Sequence, residues 1–175
     1  MIHLANTPVL HTPRLTLRAP GPQDWEAFAG FSTSGRASMV GGPLTRDKAW
    51  RAFAHLIGHW PMRGFGMFII TVTGDDTAIG MTGPWRPEGW PEPEIGWSMF
   101  TAATEGKGLA HEAAQAAVAH AFRDLGWSTV VSYIDPANAR SIALALRLGA
   151  VLDAGAPIPD TDPCLVYRHP AQVAA

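Results

Sequence analysis

Glu105-Gly106-Lys107-Gly108-Leu109-Ala110-His111-Glu112-Ala113 is the stretch on which the reading of this chain turns. A strand-like run, Glu94-Ile95-Gly96-Trp97-Ser98-Met99-Phe100, precedes it. After it, Ala113 to Phe122 is almost purely apolar and rich in alanine, the best intrinsic helix former. The order is therefore strand, glycine-containing turn, helix. Two glycines leave backbone N–H groups uncovered where a helix N-terminus concentrates roughly half a positive charge. That arrangement suits a phosphate or pyrophosphate. Glycines also begin helices for purely steric reasons, so this stretch alone leaves a plain turn and an anion seat both open.

The rest of the chain bounds the answer. At 175 residues it is read as one domain, 1–175, large enough to bury a real core. Hydrophobic residues make up 47% and charged residues 16%, a composition that folds. Net charge is −2 with 13 Lys plus Arg, too little clustered positive charge for a nucleic-acid footprint. No apolar run approaches the roughly 18–20 residues of a membrane span, and no signal-peptide pattern is expected at the N-terminus. Cys164 is the one cysteine, which rules out an internal disulfide and makes a cytoplasmic location the default expectation.

Outward from the central stretch, the elements follow from period and punctuation. Arg14-Leu15-Thr16-Leu17-Arg18 alternates as a half-buried strand. Pro22 opens a short helix to about Gly30, with Asp24 and Glu26 as first-turn charges. Residues 32–44 are loop. Thr45 is a candidate N-cap for a second helix, whose buried side is read from Trp50, Phe53, Ile57 and Trp60 and which Pro61 ends. Met67 to Val72 and Ala78 to Thr82 form a hairpin across Gly74-Asp75-Asp76. Four prolines between Gly83 and Pro93 argue against a regular ladder there. Trp85 and Trp90 in that segment are either a lid over a ligand or, more simply, a cover for the sheet edge. Gly126 closes the central helix. Ser128 to Ile134 is a β-branched strand, Asn138 caps a helix to about Arg147, and Ala150-Val151-Leu152 and Cys164 to Arg168 are the last strands. The tail from Ala171 is expected to fray.

This order predicts a mixed α/β (α+β) domain: a mostly antiparallel sheet of about seven strands with about four helices. The unit 94–100, 108–124, 128–134 needs a right-handed crossover, which makes its two strands parallel neighbours.

Taken together the pieces resemble the GNAT superfamily of acyl-CoA-dependent N-acetyltransferases, nearest its ribosomal-protein N-terminal (serine/alanine) acetyltransferase branch. The matching segments are Thr12 to Arg18, Gly64-Phe65-Gly66, Ile79-Gly80, Glu94-Ile95-Gly96-Trp97, Glu105 to Ala110, Asn138-Ala139-Arg140-Ser141 and Leu146 to Ala150. Their order and spacing carry the resemblance, which covers nearly the whole chain. It implies acetyl-CoA as cosubstrate, no metal, and an amine acceptor that is a protein N-terminus or a small molecule, with a homodimer possible. It implies that Glu105, Gly106, Lys107, Gly108, Leu109 and Ala110 seat the pyrophosphate. A bulged strand and its splayed parallel neighbour would hold the pantetheine arm, with main-chain groups around Ser98, Met99, Phe100 and Thr101 bonding it and Asn138 and Ser141 beside it. Glu105 departs from the family's usual Gln or Arg and brings a carboxylate near a dianion. Lys107 either offsets that charge or is a solvated turn lysine.

Acetyl transfer to an amine needs a neutral nucleophile, although alkyl ammonium groups titrate near ~10 and α-amines near ~8. It also needs donors for the tetrahedral oxyanion and a fate for the thiolate. Glu94, on the strand flanking the acetyl group and alternating with Gly96 and Ser98, is the candidate base; the bland alternative is a solvent-facing strand glutamate. The tyrosine acid that often stands four residues before the helix-ending glycine is here Ala145. Ser141 is the candidate hydroxyl near the sulfur, against a plain first-turn serine. Asp135 and Glu112 are weaker base candidates.

The acceptor is expected opposite CoA, lined by 31–44, 83–93 and 153–163, with Asp153, Asp160 and Asp162 making the last loop acidic. His55 and His59 have i, i+4 metal spacing but no third ligand in the sequence. Cys164 reads as a small buried hydrophobe. The competing reading is a non-catalytic acyl-CoA-binding regulatory module of the same fold.

Overall fold

A computed structural model describes residues 4–160 and 163–171. The expected frayed tail beyond Ala171 and the Asp162 expectation lie outside the described residues. Eight strands form one sheet: β1 (Leu10–His11), β2 (Leu15–Arg18), β3 (Phe68–Val72), β4 (Asp75–Trp85), β5 (Glu94–Met99), β6 (Val131–Ile134), β7 (Val151–Leu152) and β8 (Leu165–Arg168). Four α-helices accompany them: α1 (Trp25–Ser32), α2 (Arg46–Arg63), α3 (Leu109–Arg123) and α4 (Ala139–Arg147). The spatial order is β1-β2-β3-β4-β5-β6-β8-β7. Every neighbouring pair is antiparallel except β5 and β6, joined through α3 as the crossover requires.

The eighth strand is β1, missed because two residues carry no period. The Thr12 hydroxyl folds it back by accepting from the Leu15 amide at 3.0 Å, which sets Leu10 opposite Leu17. The proline-rich segment also differs from expectation. β4 runs on through Gly83, Pro84 and Trp85, which face Gly96, Ile95 and Glu94 of β5. Beyond Thr82 β3 no longer flanks β4, so Pro84 has a partner strand on one side alone, where its missing donor is tolerated. Pro61 does not end α2 either. It sits in the last turn, and the Gly64 amide closes the helix on the Trp60 carbonyl at 2.8 Å.

One sheet face packs α1 and α2 through Phe28, Phe31, Phe53, Leu56, Met67, Ile69 and Phe100. On the other, α3 lies close because its contact residues Ala113, Ala114, Ala117 and Ala121 are small and fully buried. The buried stripe of α2 is Ala49, Phe53, Leu56, His59 and Trp60, while Trp50 is 58% exposed and meets Trp25 edge-on.

Asp24 is more than a first-turn charge. It is buried and takes both Arg18 terminal nitrogens at 2.8 Å, with the Gly21 amide at 2.8 Å. This fork ties β2 to the turn that starts α1, and its hydrogen bonds hold the Arg18 guanidinium well above its usual range. Arg18 also reaches the exposed Asp76. Asp24→Ala should therefore cost about 3–5 kcal/mol in urea unfolding, since it strands a half-buried guanidinium. Asp76→Ala should cost less than about 1 kcal/mol.

Candidate active site

The loop before α3 takes its shape from its glycines. Gly106 and Gly108 have φ of +72° and +76°, a region that favours glycine, and Gly108 is the N-cap of α3. The first amides of α3 have no helical acceptors and stand at the loop. Arg14 braces the loop from behind: it donates to the Lys107 carbonyl at 2.9 Å and to Glu112 at 2.6 Å. Glu112 also accepts from the Thr12 hydroxyl at 2.6 Å, so it is a strut rather than a base.

β5 and β6 share a single registered pair, Glu94 with Val131, and then part. At the divergence the Ser132 hydroxyl donates to the Ile95 carbonyl at 2.6 Å, where a continuing ladder would use a main-chain amide. With its proton committed there, Ser132 Oγ must accept from His169 Nε2 at 2.9 Å. Burial pushes the His169 imidazole down to about 4, which keeps it neutral. No sequence signal marked Ser132 or His169: Ser132 lies within β6 and His169 just past β8, with no motif around either. The bulge expected in strand 94–100 is absent, as β4 pairs with β5 without interruption from Gly80–Met99 to Trp85–Glu94.

Two cavities open at this divergence. One, of about 890 Å³, is lined by Ser98, Met99, Glu105, Gly106, Gly108, Leu109, Ala110, Asn138 and Ser141, together with Arg36, Arg140 and Arg147. Three residues named from the sequence stand outside it. Phe100 is buried against Phe31 and gives its amide to the Ile79 carbonyl at 2.9 Å. Thr101 is exposed, with its carbonyl taken by the Thr104 hydroxyl at 2.9 Å. Lys107 is exposed and presents its carbonyl to Arg14. Arg36, Arg140 and Arg147 escaped sequence reading because they arrive from two separate segments.

Glu105 is held by Arg36 and by Arg140, the latter at 2.7 Å. The hydrogen bond from Arg36 is the foremost of the influences that hold its carboxyl below the usual range. Arg36 also donates to the Met99 carbonyl at 3.2 Å, so the 33–44 loop is fastened to β5 and to the glycine loop at once.

The second cavity, of about 680 Å³, is lined by parts of 31–44, by Trp85 and Trp90, and by Pro159 and Pro163. The acidic-loop expectation is corrected. Asp153 is paired with Arg168 at 2.8 Å, and Asp160 is exposed and does not line the cavity. Cys164 precedes β8 and half-lines the cavity instead of filling the core. Trp85 and Trp90 are cavity walls, not a cover for the sheet edge. Trp85 stacks on His59 at 4.4 Å, and His59 is fixed by the Phe65 carbonyl at 2.8 Å and the Arg86 amide at 3.2 Å.

Glu94 lies in this second cavity. Trp90 Nε1 donates to its Oε2 at 2.6 Å, leaving Oε1 on the side of Gly96, where an added Cβ would stand 3.7 Å away. Burial pushes the carboxyl up to about 7, against the hydrogen bond from Trp90 and the Tyr133 main chain, which lower it. The cavities share Trp97, Ser98, Asn138 and Ser141. Asn138 caps α4 by accepting from the Ser141 amide at 3.1 Å. Ser141 Oγ accepts from Trp97 Nε1 at 3.2 Å, so its own proton is free to be given away at the junction. Asp135 lines the same cavity and accepts from the Ala137 amide at 2.7 Å.

A family model for the GNAT acetyltransferase domain matches residues 14–151. The chain belongs to the GNAT acetyltransferase family. An acetyltransferase from Agrobacterium tumefaciens is 37% identical, superposes with a TM-score of 0.88, and is matched over 97% of this chain and 98% of its own. A GNAT-family acetyltransferase from Bordetella pertussis is 29% identical at a TM-score of 0.76, over 94% and 100% of the two chains. RimL, a ribosomal L7/L12 α-N-protein acetyltransferase solved with coenzyme A, shares the fold at 18% identity and a TM-score of 0.71, over 92% and 96%. In this acetyltransferase no helix among the described residues is long and apolar enough to cross a membrane. Among those residues no group of three or more His, Cys, Asp or Glu is arranged to hold a metal ion.

The Glu94 carboxyl has a consequence for stability. The folded protein keeps this proton up to pH about 7, whereas the unfolded chain loses it near the ordinary glutamate value of 4.5. Between those values the folded state binds more protons, so stability present below the lower value is lost as pH rises through the upper one. Glu94→Gln should match the wild type in thermal unfolding at pH 5 and exceed it at pH 8.

Proposed function

We propose that this chain transfers the acetyl group of acetyl-CoA to a primary amine by direct attack in a ternary complex. The observation that carries the reading is the meeting of two cavities at Ser98, Asn138 and Ser141, one bounded by a glycine loop at a helix N-terminus and the other containing Glu94. That RimL, which shares the fold, was solved with coenzyme A supports an acyl carrier as ligand, and the glycine loop at the α3 N-terminus favours the first cavity for it. There the Gly106–Ala110 amides take the pyrophosphate. Arg36 and Arg140 leave the groove a surplus of positive charge over Glu105, which answers the objection raised by that glutamate. The single cysteine is consistent with a cytoplasmic setting.

The chemistry follows from the side chains. Glu94 Oε1, free of Trp90, removes the proton from the amine directly or through a water molecule. The amine nitrogen bonds to the acetyl carbon, the carbon–sulfur bond breaks, and the electron pair leaves with sulfur. The Ser141 hydroxyl, polarised by the Trp97 indole, donates a hydrogen bond to the departing sulfur, which leaves as the thiolate and takes its proton from water. Main-chain donors of the 98–99 segment serve the developing oxyanion.

Release of free thiol from acetyl-CoA across an amine panel tests the reading. Turnover should rise with pH through about 7, and Glu94→Gln should lower kcat by about 10²–10⁴-fold while erasing that limb. Coenzyme A binding without any thiol release would instead mark a non-catalytic binding module. Glu105→Gln should tighten coenzyme A severalfold in calorimetry at low salt by freeing both arginines, with the gain fading as salt is added.

A further inference from the structure

The cavity around Glu94 sorts charge and polarity in a way that selects the acceptor. Among the described residues no lysine or arginine lines it, and its two carboxylates are Glu94 and Asp135. The remaining walls are dominated by aromatic and aliphatic groups, among them Trp85, Trp90, Tyr133, Phe31, Leu56 and Met67. Two of these walls are rigid before any ligand arrives: Trp85 is clamped by its stack on the doubly bonded His59, and Trp90 is held by its bond to Glu94. At the mouth, Met39 and Val40 are 42% and 51% exposed and border both cavities. Apolar groups left in water at a cavity mouth gain by being covered. The free Glu94 oxygen faces the gap left by Gly96, which marks where an amine would enter.

Resting on the acetyl-transfer reading above, we infer that the acceptor is a small primary amine on an uncharged aromatic body, with no carboxylate or phosphate beside the nitrogen. The ammonium is drawn to Glu94 and gives up its proton there. The body packs between the fixed tryptophans and the Met39–Val40 mouth. A carboxylate next to the amine would face Glu94 and Asp135 with no cation to answer it, which disfavours free amino acids. A polypeptide N-terminus would bring main-chain amides against the apolar Trp85, Phe31, Leu56 and Met67 walls, where they lose their water.

A matched substrate set decides this. Phenethylamine and phenylalanine differ by one carboxylate, and phenethylamine and ethylamine by one ring. With wild-type protein and acetyl-CoA, kcat/KM for phenethylamine should exceed that for phenylalanine by at least about 100-fold. It should exceed that for ethylamine by about tenfold or more. Trp85→Leu should raise KM for phenethylamine by about tenfold more than it raises KM for ethylamine, and the wild-type series decides by itself if that variant does not fold. Equal or better turnover of phenylalanine, spermidine or an Ala- or Ser-starting tetrapeptide would overturn the acceptor class while leaving acetyl transfer intact. Calorimetric binding of coenzyme A with no thiol release from any of these amines would overturn the acetyl-transfer reading itself.

Discussion

Everything proposed for this protein depends on where β5 and β6 stop being neighbours. Parallel strands normally stay paired, because each unpaired main-chain group loses a hydrogen bond that water must replace. Here the ladder ends after Glu94–Val131, and the Ser132 hydroxyl satisfies the Ile95 carbonyl in place of a β6 amide. The neutral, buried His169 stands behind that serine. The strands can therefore separate without leaving that carbonyl unpaired, and both cavities begin in the gap.

Charge is divided between the two sides of that gap. Arg36, Arg140 and Arg147 border the groove of the glycine loop, with Glu105 bound between the first two. Glu94 and Asp135 border the other cavity. The proposed anionic acyl carrier and cationic amine would thus be drawn to opposite sides of Ser98 and Ser141. Burial holds Glu94 near the pH at which proton transfer is useful. The Arg36 bonds to Met99 and Glu105 fasten a wall of the Glu94 cavity to the glycine loop, so the sides are mechanically joined.

What could be read from the sequence was what short segments decide by themselves. The glycine turn before α3, the cap at Asn138 and the alternation of Glu94, Gly96 and Ser98 are each decided by a few adjacent residues, and the crossover follows from the order of the elements. The resemblance built on them led to the right family. The misses share a cause, which is partnership over distance. Arg36 is 69 residues from Glu105, Ser132 is 37 from Ile95, and Arg86 is 27 from the His59 that it helps to fix. Asp24 looked like helix-dipole chemistry because a local pattern shows Arg18 at the end of its strand but not that the turn between them brings the two side chains together. Pro84 looked like a breaker because nothing local reveals that β3 has already ended.

The most direct measurement is a crystal structure with a bisubstrate analogue in which the sulfur of coenzyme A is joined through the two-carbon acetyl unit to the nitrogen of phenethylamine. The account predicts the pyrophosphate on the Gly106–Ala110 amides, the sulfur between Ser98 and Ser141, the nitrogen facing Glu94, and the ring between Trp85 and Trp90. A pyrophosphate seated away from the glycine loop, or a nitrogen remote from Glu94, would contradict it.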